Sequence, residues 1–307
     1  MKLLITGACG HIGSYLVENI HKVKKIKEVI LIDNFNTQRY NSLFHLNKKI
    51  KFSFFNIDLS RSSLKKFKRV NYVIHCASHT NAQGSFSIKK EMFRNNISCM
   101  KNIIKYCRRT KSKIIHLSST SVYGKQAKIV NENDIHLLKP QSPYAEIKLI
   151  EENLLKKNKN KINFITFRFG TIAGVSKGIR FHTAINKFCL NASLNEKIHV
   201  YKTAYNQFRP YLSLKDAFKT FKFCIEKNVF NNETYNALSG NFTVKQIVNM
   251  IRKYKKKIRV KFVNTEIMNQ LSYHVESKKL EKRGLNLNAQ IQNDIKETLN
   301  LFKSIKY

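Results

Sequence analysis

The sequence predicts an α/β protein, a doubly wound parallel sheet carrying a smaller mixed α/β domain. Three observations predict it. Over the first half of the 307 residues, short apolar runs rich in Ile, Val and Phe alternate with amphipathic stretches. Strands alternating with helices build right-handed βαβ units around a parallel sheet. The first run leads straight into Thr6-Gly7-Ala8-Cys9-Gly10-His11-Ile12-Gly13, a strand, a glycine turn and a helix start. Beyond Gly170 the alternation loosens, which predicts a second, smaller unit over the open end of the sheet.

Taken in order, Lys2–Thr6, Glu28–Asp33, Ile50–Asp58, Asn71–Ala77, Lys113–Ser119 and Ile162–Phe169 read as buried strands, because each is bounded by polar or glycine residues. Helical patterns fill the gaps at His11–Lys22, Ser62–Lys68, Ile88–Arg109 and Tyr144–Lys157. Pro140 and Pro143 flank Gln141-Ser142 just ahead of the last of these, a placement that suits a helix start. The second half reads as helices near Phe181–Asn195, Leu214–Glu226 and Val244–Tyr254, with strands near Ile198–Tyr201 and Arg259–Val263. The predicted division is a first domain over 1–172 with a returning segment at about 209–238. The second domain then comprises 173–208 and 239–307.

Composition narrows the function classes. A hydrophobic fraction of 42% is that of a globular chain, and the apolar runs are too short to cross a bilayer. The opening MKLLITG has apolar residues only from Leu3 to Ile5 before the glycine motif, so it reads as a strand and not as a leader; the expected location is the cytoplasm. The six cysteines show no C-x-x-C and no spacing suited to a metal, so reduced core thiols and no metal are expected. The formal charge is +38. The lysines are spread through every segment and form no arm or stripe, which argues against a specific nucleic-acid function. With abundant Asn and Ile they match the codon drift of an AT-rich genome. A field of this sign still draws anionic substrates.

Two groups of residues carry chemistry. Gly7 permits a tight turn, Gly10 lets backbone approach a pyrophosphate, and Gly13 lets the helix pack close to the sheet with its N-terminus facing phosphate. Asp33 ends the second strand, where it can accept hydrogen bonds from both ribose hydroxyls of NAD and repel the 2′-phosphate of NADP. Asp58 ends the third; it either bonds adenine or caps the next helix. Tyr144 and Lys148 share one helix face, and a nearby ammonium stabilises a phenolate. Ser119, at the carboxyl end of the fifth strand, lies where ligands bind in such sheets.

Together these residues resemble the extended short-chain dehydrogenase/reductases of the NAD-dependent epimerase/dehydratase family. The likeness runs through Thr6–Gly13, Leu31–Phe35, His75–Ser78, Asn95–Asn96, Ser118–Gly124, Ser142–Lys148, Arg168–Gly174 and Arg209–Ala217. It implies a Rossmann-like fold, NAD, a nucleotide-sugar substrate and a homodimer. Implied cofactor contacts are Gly7, Gly10, His11, Ile12, Gly13, Asp33, Asn34, Asp58, Leu59, Ala77, Asn96, Tyr144 and Lys148. Implied substrate contacts are Ser78, Thr120, Thr171, His182 and Arg209. Tyr144 would be the base, Lys148 its electrostatic partner and Ser119 a hydrogen-bonding assistant.

The same resemblance separates the family's reactions. The family's 4,6-dehydratases carry Asp and Glu after the serine position, where this chain has Thr120 and Ser121; UDP-glucuronate decarboxylases carry Glu at the place of Ser121. What remains is epimerisation at C4 through a keto sugar, with Ser119, Thr120 and Thr171 offering hydroxyls to a uronic acid carboxylate. Net oxidation or reduction of a nucleotide sugar is an alternative, and a non-catalytic basic binding protein on the same fold is another. A second family arginine for the diphosphate is replaced by Met268-Asn269-Gln270, leaving Arg209, with Arg180 or a nearby lysine, to serve.

Overall fold

The computed structural model describes residues 1–81, 84–126, 129–264 and 273–305. Seven parallel strands form its centre: β1 (Lys2–Thr6), β2 (Glu28–Asp33), β3 (Lys51–Asn56), β4 (Tyr72–His75), β5 (Lys113–Ser119), then Phe164–Phe169 and Thr234–Ala237. From one edge the order runs β3, β2, β1, β4, β5, Phe164–Phe169, Thr234–Ala237. The direction of winding reverses between β1 and β4. The carboxyl ends of those two strands therefore open a crevice, and Thr6 and His75 stand paired at its floor.

Sequence explains why the sheet is buried on both faces. Leu3 and Ile5 point into one core with Leu16, Val17, Phe167 and Phe221, while Leu4, Val73 and Ile114 point into another with Met100, Ile103 and Phe164. The alternation has period two, as a pleated strand demands. Helices α1 (His11–Asn19) and α5 (Leu214–Lys227) cover the first face; α2 (Lys89–Thr110) and α3 (Pro143–Lys157) cover the second. Helix α3 starts on a Ser142 side-chain cap with Pro143 in the first turn, as the proline spacing predicts.

One expectation changes. No helix forms over Ser62–Lys68, which is irregular apart from one turn closed by Phe67 N donating to Leu64 O. Its carbonyls are satisfied by α2 instead: Arg109 donates to Leu64 O and Phe67 O, Asn102 to Ser62 O, and Tyr106 to Lys68 O. External donors make a short, poorly nucleated helix unnecessary. The apolar positions of α2 are also spent inside the subunit, since Met92, Met100 and Ile103 are fully buried and Ile97 and Ile104 nearly so.

A second group of elements forms a cap over the crevice. Thr171–Ala173, Phe208–Ser213 and Gly240–Thr243 make one small sheet, and Lys197–Tyr201 pairs in parallel with Arg259–Val263. They share a third core with α4 (Ala184–Ser193), α6 (Val244–Tyr254) and the helix Ile291–Asn300. Within the segment 209–238, the strand at Phe208–Ser213 belongs to this cap, whereas α5 and Thr234–Ala237 rejoin the large sheet.

Candidate active site

The crevice between sheet and cap is a continuous cavity of about 770 Å³. Its glycine end is dictated by close approach. Gly7 has φ +65°, and a Cβ there would lie 2.6 Å from Ala77 N; a Cβ on Gly13 would lie 2.1 Å from Gly7 O. A Cβ on Gly10 would meet only Gly7 O, at 3.3 Å, and otherwise point into open space. Gly10 caps α1 without any side-chain bond, so the first amides of the helix are left to face the cavity. This cradle fits a pyrophosphate.

Asp33 is held for work beside it. One carboxylate oxygen accepts from Cys9 N and the other from Phe35 N, both at 2.9 Å. Asn34 and Leu59 line the same wall. Asp58 accepts from Ser60 N and Ser60 Oγ and pairs with Arg61 at 3.5 Å, so it caps its own turn while still lining the cavity.

Tyr144, Lys148 and Ser119 line one stretch of the cavity, with Ala77, Ser78, Thr120 and Thr171. The Lys148 ammonium sits 5.8 Å from the centre of the Tyr144 ring. It donates to Glu151 at 2.8 Å. Burial alone would lower Lys148, but attraction to Glu151 outweighs it and its pKa is raised. Ser119 Oγ accepts from Ser121 N and Ser121 Oγ, at 3.2 and 2.8 Å. Thr120 is buried, and its hydroxyl is shared between Phe169 O and Tyr273 OH.

Of the residues the sequence proposes, Asn96 alone lies off the cavity wall. It is fully buried, accepts from His79 N and donates to His79 O, so it staples the loop after β4 and does not face a cofactor. The His11 ring is also committed elsewhere, with Nε2 donating to Gly174 O at 2.9 Å. Its cavity-facing contribution is therefore the start of α1. Arg209 stands on the cap strand with Nε unpartnered. Met268, Asn269 and Gln270 lie outside the described residues.

Sequence reasoning missed Arg39 as a site residue. It follows Asp33 by six positions, but the loop returns it to the cavity, where burial lowers its guanidinium pKa and the Asp33 carboxylate only partly opposes the fall. Tyr273 and Lys187 line the cavity without any motif to signal them. Arg180 donates to the Thr80 hydroxyl, and its Nε is unpartnered. Burial, then Arg180 and Arg39, push His182 down to about 4 and, with the Gly174 hydrogen bond opposing, His11 to about 3. Two neutral histidines beside two guanidiniums describe a positive potential awaiting an anion. Among the described residues lining the cavity, the only carboxylates are Asp33 and Asp58, both at the glycine end.

The sequence profile of the NAD dependent epimerase/dehydratase family matches residues 3–237. The chain belongs to that family. Its cofactor is NAD, which when bound supplies the acceptor and donor of hydride. The chain is 27% identical over 273 residues to a dTDP-D-glucose 4,6-dehydratase of Dictyostelium discoideum, covering 81% of this chain and 62% of that protein. It is 28% identical over 322 residues to an uncharacterized Methanocaldococcus jannaschii protein, covering 98% and 95%. Its fold matches that of a UDP-glucuronic acid 4-epimerase from Bacillus cereus with a TM-score of 0.87, at 23% identity over 99% of both chains. A dTDP-glucose 4,6-dehydratase from Streptomyces venezuelae matches with a TM-score of 0.88 at 18% identity, over 99% of this chain and 97% of that one. No helix among the described residues is long and apolar enough to cross a membrane.

Proposed function

We propose that this member of the family is a nucleotide-sugar epimerase that inverts C4 through a keto intermediate, with a uronic acid as the sugar. The observation that carries the reading is the chemistry of the cavity wall around Tyr144. It offers hydroxyls from Ser119, Ser121 and Thr171 and cations from Arg180, Lys187 and Arg209, and no carboxylate at that end among the described residues. Dehydration needs an acid and a base beside the carbon that loses water, and Thr120 and Ser121 occupy those places. In the epimerase reading, Tyr144 takes the proton of the C4 hydroxyl while the hydride leaves. The proton and hydride return after the keto sugar turns over. The excess of cations at the sugar end favours a substrate with a carboxylate in addition to its diphosphate. The solved Bacillus cereus relative acts on UDP-glucuronic acid, in line with this choice.

The deciding experiment places deuterium on C4 of UDP-glucuronic acid and of UDP-glucose. Epimerisation keeps the label in the sugar with no net NADH. Label appearing in free NADH in stoichiometric amount would instead make the enzyme a dehydrogenase. Faster turnover of the neutral sugar would remove the uronic acid from the proposal. The assembly is proposed to be a homodimer through the outer faces of α2 and α3, where Phe93 is 44% exposed; a monomer mass by light scattering at micromolar concentration would refute it.

A further inference from the structure

Helix α3 carries a charged group next to the reacting pair that epimerisation does not itself consume. Tyr144, Lys148 and Glu151 fall at i, i+4 and i+7 and so form one stripe. The Lys148 and Glu151 side chains are 5% and 0% exposed, and His116 opposite them on β5 is 0% exposed. Glu151 Oε2 accepts from the ammonium at 2.8 Å and lies 3.0 Å from His116 Nε2. A carboxylate only accepts, so His116 carries its proton on Nε2. On the other side of the ring, His116 Nδ1 lies 3.3 Å from the Thr166 hydroxyl. Burial would raise Glu151, yet Lys148 and His116 together pull it down to about 2. It is therefore an anion in a dry site.

We propose that Glu151, oriented by His116 and Thr166, is the positioning residue of Lys148 and sets the pH at which the Tyr144–Lys148 pair gives up its first proton. An isolated lysine this deeply buried would shed its charge. Glu151 keeps the ammonium charged while Tyr144 is a neutral phenol, and it competes with the phenolate for that ammonium. The two groups titrate as a pair, so the first proton lost belongs to both. Adding a buried negative charge raises the pH of that loss; removing it lowers it, whichever group yields the proton.

Other groups facing the pair do not supply this effect. His75, from β4, is held neutral at about 3 by burial, and Cys76 and Cys99 are pushed up to about 12 by burial. Burial raises Tyr273, and Arg180 opposite Tyr144 stays cationic. The Glu152 carboxylate one residue on is engaged by Arg168 and Ser118.

The inference rests on Tyr144 and Lys148 being the reacting pair, and its test has a readout free of any sugar. In NAD-loaded enzyme, the phenolate absorbance lost in Tyr144→Phe is titrated against pH. Glu151→Gln is expected to move that titration, and the acid limb of kcat/KM, to lower pH by about one unit or more, with kcat falling about tenfold. Glu151→Asp, which keeps the charge on a shorter arm, is expected to lower kcat while leaving the limb near its original pH. A purely structural role would reduce turnover or folding and leave both titrations in place. Unmoved titrations in folded Glu151→Gln overturn the proposal. If that variant does not fold, Glu151→Leu with His116→Leu removes the charge and its polar partner together and is held to the same shift. A phenolate titration that moves in an enzyme inactive on every sugar tested would uphold the positioning role and remove the epimerase reading. Epimerisation with unmoved titrations would do the reverse.

Discussion

Replacing Arg168 by Leu tests the strut that fixes the reacting helix to the sheet. Arg168 is 1% exposed and reaches Glu152 by two bonds, Nε to Oε1 at 2.9 Å and Nη2 to Oε2 at 2.7 Å. Ser118 adds a third at 2.6 Å, and the remaining guanidinium nitrogen donates to Tyr123 OH at 2.9 Å. The leucine variant leaves Glu152 buried with one hydroxyl for company. Breaking one side of a buried ion pair costs about 3–5 kcal/mol, which for a chain of this size lowers Tm by roughly 5–15 °C. The pH dependence gives the sharper check. In the native protein burial works to raise Glu152 but the Arg168 bonds prevail, so its pKa is lowered. Its contribution is present above the unfolded carboxylate value and is lost as pH falls through the lowered folded value. In the variant the carboxyl is raised instead, so the deficit is greatest near neutral pH and narrows as acid protonates Glu152. Urea unfolding at several pH values measures this. A loss under about 1 kcal/mol, or one independent of pH, would refute the reasoning. Adding Glu152→Leu should restore part of the loss, because the orphaned charge is then gone; a further loss would say that packing and not charge dominates.

Tyr144→Phe should lower kcat by roughly 10²–10⁴ with NAD binding intact, and Ser119→Ala less, because Ser121 Oγ lies 2.8 Å from Ser119 Oγ and can stand in for it. Equilibrium binding should favour NAD over NADP by about 2–3 kcal/mol, since Asp33 repels a 2′-phosphate and loses a charge-assisted bond; equal dissociation constants would show that the nearby Arg39 compensates. Gly13→Ala drives a methyl to 2.1 Å from Gly7 O, a backbone atom that cannot swing aside. It should cost about 1–3 kcal/mol or more and weaken NAD binding, and thermal unfolding with and without NAD checks both.

Much of this molecule could be read along the chain because its signals are local. β1, the glycine turn and α1 are specified within Lys2–Asn19, where apolar alternation, a required positive φ at Gly7 and close approach at Gly13 coincide. Tyr144 and Lys148 share a helix face by the geometry of 3.6 residues per turn, and Ser119 ends a strand whose parallel neighbours place it at the crevice. Only tertiary structure decided the rest. Arg39 returns to Asp33 through a loop, and Lys187 and Tyr273 reach the cavity from the cap, with no periodicity to announce them. Asn96, adjacent to a matching motif, turns inward because the loop after β4 needs its amide more than the cavity does. The partnership of Glu151 with Lys148 is local to one helix, but its meaning comes from His116 on a strand 35 residues away. A sequence records which side chains can ionise; the dry space that makes their charges interact exists only once the sheet and helices have closed around them.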